Sequence, residues 1–180
     1  MRYHNITKDD MLNGDGLRAV LWVAGCNHYC KNCQNPITWD PQGGLLFDEK
    51  AKAELFTYVR FNDYVSGVTF SGGDPLYPGN REEITELAKA IKNIPGKTVW
   101  MYTGYLWEEV KDLPVMEHVD VLVDGEYQEE FRDVKYEWAG STNQRVIDVQ
   151  ESLKRGEVIL HGVQEQGRTP EGEKTGGESK

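Results

Sequence analysis

Short apolar runs alternate with amphipathic stretches along most of the chain. Arg18 to Val23 (RAVLWV) reads as a largely buried strand, and Gly25 follows it directly. From about Asp48 to Phe61 apolar residues recur at helical spacing, with Ala51, Leu55, Tyr58 and Val59 near one face. Gly67 to Ser71 (GVTFS) predicts a second strand that stops at Gly72-Gly73. Asn80 is the expected N-cap of a helix running through Lys92, with Glu83 as its capping-box partner. Ile84, Leu87, Ala88 and Ile91 form the core stripe of that helix, and Pro95-Gly96 ends the unit. Lys97 to Tyr102 (KTVWMY) is a third strand, and a short helix near Tyr105 to Lys111 leads to a fourth at Val119 to Val123. Arg145 to Val149 and Glu157 to Leu160 add two more strands around a helical link at Glu151 to Arg155.

Strand–helix alternation with crossovers of this length predicts an α/β fold with parallel strands and right-handed connections. The units are too few for an eight-stranded barrel of about 250 residues. The expected architecture is therefore a partial (βα) barrel, an open curved parallel sheet of about five to six strands. Residues 1–164 suffice for it as one domain. Beyond Gln164 the sequence turns to EQGRTPEGEKTGGESK, rich in Gly, Glu and Lys without an apolar anchor, so residues 165–180 are expected to be a flexible, disordered tail. No internal repeat is present.

Composition narrows the function classes. The 180 residues are 38% hydrophobic and 28% charged, the balance of a soluble globular chain. Thirty acidic against twenty basic residues leave a net charge of −10, which argues against a nucleic-acid binder. The longest apolar run, around Ala19 to Cys26, is strand-sized and far below the roughly 18 to 20 residues of a membrane span. The opening MRYHNITKDD has no basic region followed by an apolar one, so nothing suggests export. The expectation is a cytoplasmic protein that handles a small molecule, a protein partner, or both, with no nucleic acid and no membrane.

The three cysteines sharpen this, because all lie between residues 26 and 33, in GCNHYCKNCQN. An odd, tightly clustered set is a poor disulfide framework. Three thiolates on one loop after a buried strand can converge on a single centre, and soft thiolates select zinc, cuprous copper or an iron–sulfur cluster. A structural zinc needs a fourth ligand, which only His28, or a distant His4, His118 or His161, would supply. A four-iron cluster held by three cysteines fits the donor set better, since the open iron is a binding position for substrate or cofactor. Zinc stays open beside it, and a nucleophilic cysteine is the weaker third reading.

Cys26-x3-Cys30-x2-Cys33 resembles the signature of the radical S-adenosylmethionine (SAM) enzymes. The wider stretch NGDGLRAVLWVAGCNHYCKNCQNPITW resembles one branch, the anaerobic ribonucleoside-triphosphate reductase activating proteins. That branch keeps a Gly-rich turn before the first strand, here Asn13 to Gly16, and Asn-Pro then Trp after the third cysteine, here Asn35-Pro36 and Trp39. Ser71-Gly72-Gly73-Asp74-Pro75 is similar to the family's glycine-rich segment, and Gly140 to Arg145 (GSTNQR) to a segment near its C-terminal end. The resemblance spans residues 13 to about 149.

It implies a single domain of radical SAM type in which Cys26, Cys30 and Cys33 bind three irons of one [4Fe–4S] cluster and the open iron chelates SAM. Reductive cleavage would give methionine and a 5′-deoxyadenosyl radical, which would take a Cα hydrogen from a glycine of the reductase. The implied SAM contacts are Asn32, Cys33 and Gln34 beside the adenine and Gly72-Gly73 along the methionine end. Asp74 is shorter than the Glu that related sequences often carry there, which bears on contact with the SAM amine. The implied partners are the reductase and a low-potential electron donor such as flavodoxin. The alternatives are an activase of another glycyl-radical enzyme such as pyruvate formate-lyase, another small radical SAM enzyme, or a zinc-binding interaction module.

Other residues divide between chemistry and structure. Asn13 to Gly16 lacks the spacing of a dinucleotide loop and reads as a turn placing Arg18 near the active rim. Thr103 and Asp124 end strands on the rim where α/β ligands bind. Asp124 could hold a ribose or a cation, or be a surface carboxylate. Gly140 to Arg145 suits a role against SAM or the partner, or a plain loop. Trp100 reads as core, and His28 as a solvated residue of the cysteine loop rather than a ligand.

Overall fold

The structure is a computed structural model that describes residues 1–162; the tail expected to be disordered lies outside the described residues. Its elements are β1 (Arg2–Asp10), β2 (Leu17–Val23), β3 (Leu45–Leu46), α1 (Glu49–Phe61), β4 (Val65–Gly72), α2 (Arg81–Lys92) and β5 (Thr98–Tyr102), then α3 (Trp107–Val110), β6 (Val121–Asp124), β7 (Arg145–Asp148) and α4 (Val149–Arg155). The strands form one open sheet in the order β3-β1-β2-β4-β5-β6-β7.

The α/β class and the open sheet agree with the sequence reading, but the sheet is a mixed one of seven strands. Only β2, β4, β5 and β6 run parallel, joined by crossovers through α1, α2 and α3. β1 pairs antiparallel with β2, β3 with β1, and β7 with β6. The hydrophobic pattern hides β1 because it is half-exposed and irregular. Only Tyr3 and Ile6 reach the main core, and the register shifts between Tyr3 and Asn5 and again between Thr7 and Asp10. Glu157 to Leu160 is not a strand; it contributes one bridge, from Leu160 to Ile147.

Alternation of side chains along each strand separates two faces. Ala19, Leu21 and Val23 of β2, Val68 and Phe70 of β4 and Val99 and Met101 of β5 pack in the main core with Leu55 and Val59 of α1 and Ile84, Leu87 and Ile91 of α2. The opposite face carries Arg18, Thr69, Ser71, Trp100 and Tyr102. It is covered only in part, by a small cluster of Trp100, Val121, Val123 and Val146 with Trp138 and Ala139 against it.

The Asp48 carboxylate starts α1 by accepting from the backbone N–H groups of Lys50 and Ala51. The expected cap of α2 differs. Asn80 stands at the N-cap position, but its side-chain amide donates to the carbonyls of Ala24 (2.9 Å) and Asp74 (3.3 Å). Those buried acceptors outrank the helix end, and the Glu83 carboxylate is taken by the amino group of Met1.

Arg18 also departs from expectation. It sits at the start of β2, at the opposite end of the strand from the cysteines, fully buried beneath the Trp100 ring. Its guanidinium donates to the hydroxyls of Thr69 (2.7 Å) and Thr98 (3.0 Å) and to the carbonyls of Asp15, Val68 and Thr98. Burial pulls its pKa down to about 10. The Asn13–Gly16 turn is present, and Gly14 is required in it. At φ 125° a Cβ there would lie 2.7 Å from the Trp100 ring.

Candidate metal centre

The cysteine loop leaves the C-terminal end of β2 and is fastened at several points. Gly25 and Cys26 donate their N–H groups to the carbonyls of Thr38 (2.8 Å) and Trp39 (3.1 Å). A 3-10 turn at Pro36–Thr38 follows, closed by the Thr38 hydroxyl on the Asn35 carbonyl at 2.6 Å. Tyr29 and Asn32 take left-handed backbone, at φ 51° and 57°, so the chain folds back between successive cysteines. Tyr29 then packs edge-on against Trp39.

The end of β4 meets this loop backbone to backbone. Gly73 donates to the Val23 carbonyl at 2.8 Å and Asp74 to that of Gly25 at 2.7 Å. A Cβ on Gly73 would lie 2.5 Å from the Gly25 oxygen, and one on Gly72 2.7 Å from the Val23 nitrogen. The two glycines therefore have a local reason to be glycine: they let β4 press against the strand and loop that carry the thiols.

Cys26, Cys30 and Cys33 are free thiols lining one cavity of about 130 Å³. Gln34, Gly72 and Gly73 line it too, so the structure brings together all the predicted site residues except Asn32, which is exposed and outside it. Among the described residues no three His, Cys, Asp or Glu side chains form a group ready to hold a single metal ion. Burial pushes the Cys26 thiol up to about 11 and raises that of Cys30. Such thiols are poor nucleophiles, which weighs against the nucleophilic-cysteine reading. The donor set, three soft sulfurs on a loop tied to two strand ends, fits a cluster whose iron would supply the charge that makes thiolates favourable here.

This cavity opens into a larger one of about 770 Å³ on the inner face of the sheet. Gln34, Asn35, Ser71, Tyr102, Tyr127 and Gln144 line both and form the neck between them. The sequence reading holds Ser71 only as part of the glycine-rich motif and gives Tyr102 and Tyr127 no site role. Their signal is positional: Ser71 and Tyr102 alternate with the core residues of β4 and β5, and Tyr127 follows β6. A larger concavity, about 1,050 Å³ among Asp63, Asn93, Lys97 and Asp120, lies at the other end of the sheet and contains none of the predicted site residues.

The rim residues are tied into the fold, and Thr103 and Gln144 also line the thiol cavity. Asp124 is neither exposed nor free. It accepts from the Trp107 N–H at 2.8 Å and is paired with Arg145, which also reaches Glu108 at 2.9 Å. Thr103 is buried, with its hydroxyl on the Asp74 carboxylate. Gly140 to Arg145 folds back on the end of β6. The Gln144 amide accepts from the N–H of Gly140 (3.0 Å) and donates to the Gly125 carbonyl (2.9 Å). His28 is not solvated: its ring lies between Asp74 (2.8 Å) and Glu126 (3.0 Å), and the hydrogen bond to Asp74 raises its pKa.

Sequence comparison gives this arrangement a class. Residues 12–147 match the family described as a 4Fe-4S single cluster domain. The similarity extends to particular proteins. The chain is 43% identical over 147 residues to the anaerobic ribonucleoside-triphosphate reductase-activating protein of Enterobacteria phage T4, covering 81% of this chain and 93% of that one. It is 35% identical over 150 residues to the proteins of that name from Pasteurella multocida and Escherichia coli K12, covering 80–81% of this chain and 95–97% of theirs. The chain belongs to the family of anaerobic ribonucleoside-triphosphate reductase-activating proteins.

Proposed function

We propose that this protein is a radical SAM activase, which cleaves SAM reductively at a [4Fe–4S] cluster and generates a glycyl radical on an anaerobic ribonucleoside-triphosphate reductase. The observation that carries the reading is the meeting of three thiols and the Gly72-Gly73 strand end in one cavity that opens onto a roomier polar cleft. In this reading residues 1–164 are a single domain of the radical SAM type, and the open sheet is its partial barrel. Cys26, Cys30 and Cys33 would hold the cluster, and its open position would take SAM. A reduced cluster there would supply one electron for splitting the C5′–S bond of SAM into methionine and a 5′-deoxyadenosyl radical, which could take a Cα hydrogen.

The chain's own groups bind and orient. Gly72 and Gly73, which line the cavity, would take the methionine portion, and Cys33 and Gln34, which line it too, would take the adenine, with the backbone of Asn32 beside them. The cleft beside Tyr102 and Gln144 leaves room for a loop of the reductase, whose docking would close the site against water. The electron comes from a low-potential donor such as flavodoxin in the reducing cytoplasm. Among the described residues no helix is long and apolar enough to cross a membrane.

The test is anaerobic reconstitution with iron and sulfide, reduction by dithionite with SAM, and assay of 5′-deoxyadenosine. Wild type is expected to produce it and Cys30→Ala to lose it. Adding the reductase should then give a glycyl electron-paramagnetic-resonance doublet. Stoichiometric zinc in place of a cluster would overturn the reading. Cleavage without that doublet would redirect it to a different substrate.

A further inference from the structure

We propose that His28 is a positioning residue that clamps the cysteine loop to the rest of the rim, and that the Asp74 carboxylate serves this clamp. The inference rests on the part of the reading above that seats a cluster on Cys26, Cys30 and Cys33. His28 lies midway between the first two of these cysteines, and both of its ring nitrogens are engaged. Nε2 is 2.8 Å from Asp74 at the end of β4, and Nδ1 is 3.0 Å from Glu126 beyond β6. The ring also stands edge-on to Tyr105, with centroids 4.7 Å apart. One side chain thus joins the loop to three separate segments that β4, β5 and β6 carry to the rim.

The geometry leaves little slack. A Cβ on Gly104 would lie 2.4 Å from the His28 ring, so the β5–α3 turn accepts this residue only because position 104 is glycine. Asp74 is 1% exposed and its oxygens are fully used. Oδ1 accepts from the Leu76 N–H (2.8 Å), Oδ2 from the Gly104 N–H (3.0 Å), and the Thr103 hydroxyl lies 2.9 Å from both. With His28 on Oδ2 as well, the carboxylate has spent its four lone-pair sites on the protein. It fixes the position of His28, and His28 fixes the backbone between Cys26 and Cys30. Outer partners of this kind orient metal ligands, and losing one typically costs about 10–100-fold in metal affinity.

The experiment follows iron retention of the reconstituted protein under a chelator, together with the resonance spectrum of its reduced cluster, both without SAM. His28→Ala and Gly104→Ala, which remove the ring and displace it, are expected to speed iron loss by about 10–100-fold and to shift or broaden the spectrum. His28→Gln, which can still donate to Asp74, should recover part of both. In a double-mutant cycle His28→Ala and Asp74→Asn should be non-additive, because each breaks the same link. Retention and a spectrum like wild type in His28→Ala would overturn the clamp. So would a lowered unfolding midpoint of the apo-protein with cluster retention unchanged, which would make His28 a packing residue only. Weakened SAM binding in Asp74→Asn with the cluster unaffected would assign Asp74 to the cofactor amine instead. A wild type that loads a cluster but never cleaves SAM would sink the proposed activity and leave this test standing.

Discussion

The two faces of the sheet are made from the same strands and obey different rules. On the outer face Leu21, Phe70, Val99 and Met101 meet α1 and α2 in a continuous apolar core. On the inner face the intervening positions are Arg18, Thr69, Ser71, Trp100 and Tyr102, and the cover is partial. Burial drives the first face, at about 25 cal/mol per Å² of apolar surface removed from water. The second must find a hydrogen-bond partner for every buried polar group, or leave it to a ligand. Stability is concentrated where helices cover the sheet, and chemistry where they do not.

Four measurements would break or sharpen that division. Gly73→Ala should have the largest effect. Its Cβ would push into the Gly25 and Thr38 carbonyls, 2.5 and 2.8 Å away, so the reconstituted protein should hold no stable cluster. The helices should meanwhile keep wild-type circular dichroism, and a variant that loaded iron normally would refute this account of the glycine. Leu87→Ala, on the helix-covered face, should cost about 2–5 kcal/mol in denaturant unfolding of the apo-protein. It should leave SAM cleavage per folded molecule unchanged.

Arg18→Met tests the inner face at its closed end. The substitution keeps volume but strips donors from Thr69 and the Val68 and Thr98 carbonyls, for an expected loss of about 1–3 kcal/mol. No loss would mean that water replaces the guanidinium. Tyr102 gives the smallest effect. Burial raises its phenol above the ordinary value near 10. Its contribution to stability is therefore complete below about pH 10 and is lost as pH rises from there towards its folded-state pKa. Tyr102→Phe should shift the alkaline unfolding midpoint upwards by a fraction of a pH unit, roughly. An unchanged midpoint would show that the phenol ionises without penalty.

What could be read from residues alone follows the same division. Outer-face positions repeat with helical and strand periods, so Leu55, Ile84, Leu87 and the strands Arg18 to Val23 and Lys97 to Tyr102 were legible within a residue or two. The cysteine spacing and the Gly-Gly strand end were legible too, because both are local along the chain, and the structure lines one cavity with them. β1 was not, since a half-exposed, bulged strand has no strict period. The antiparallel direction of β7 was likewise hidden, because the loop before it carries no signal of which way the chain returns.

The sequence by itself determined the α/β alternation, the three-thiol loop and the strand ends that face it, since periodicity and short spacing are properties of neighbours in the chain. Only the tertiary structure decided that Arg18 plugs the closed end, that Asp124 is spent on Arg145, and that His28 reaches Asp74 and Glu126. Each of these is a polar group that had to find partners once buried. The partners lie 17 to 98 residues away along the chain, except for the nearby turn carbonyl of Asp15, and the folded sheet brings them together.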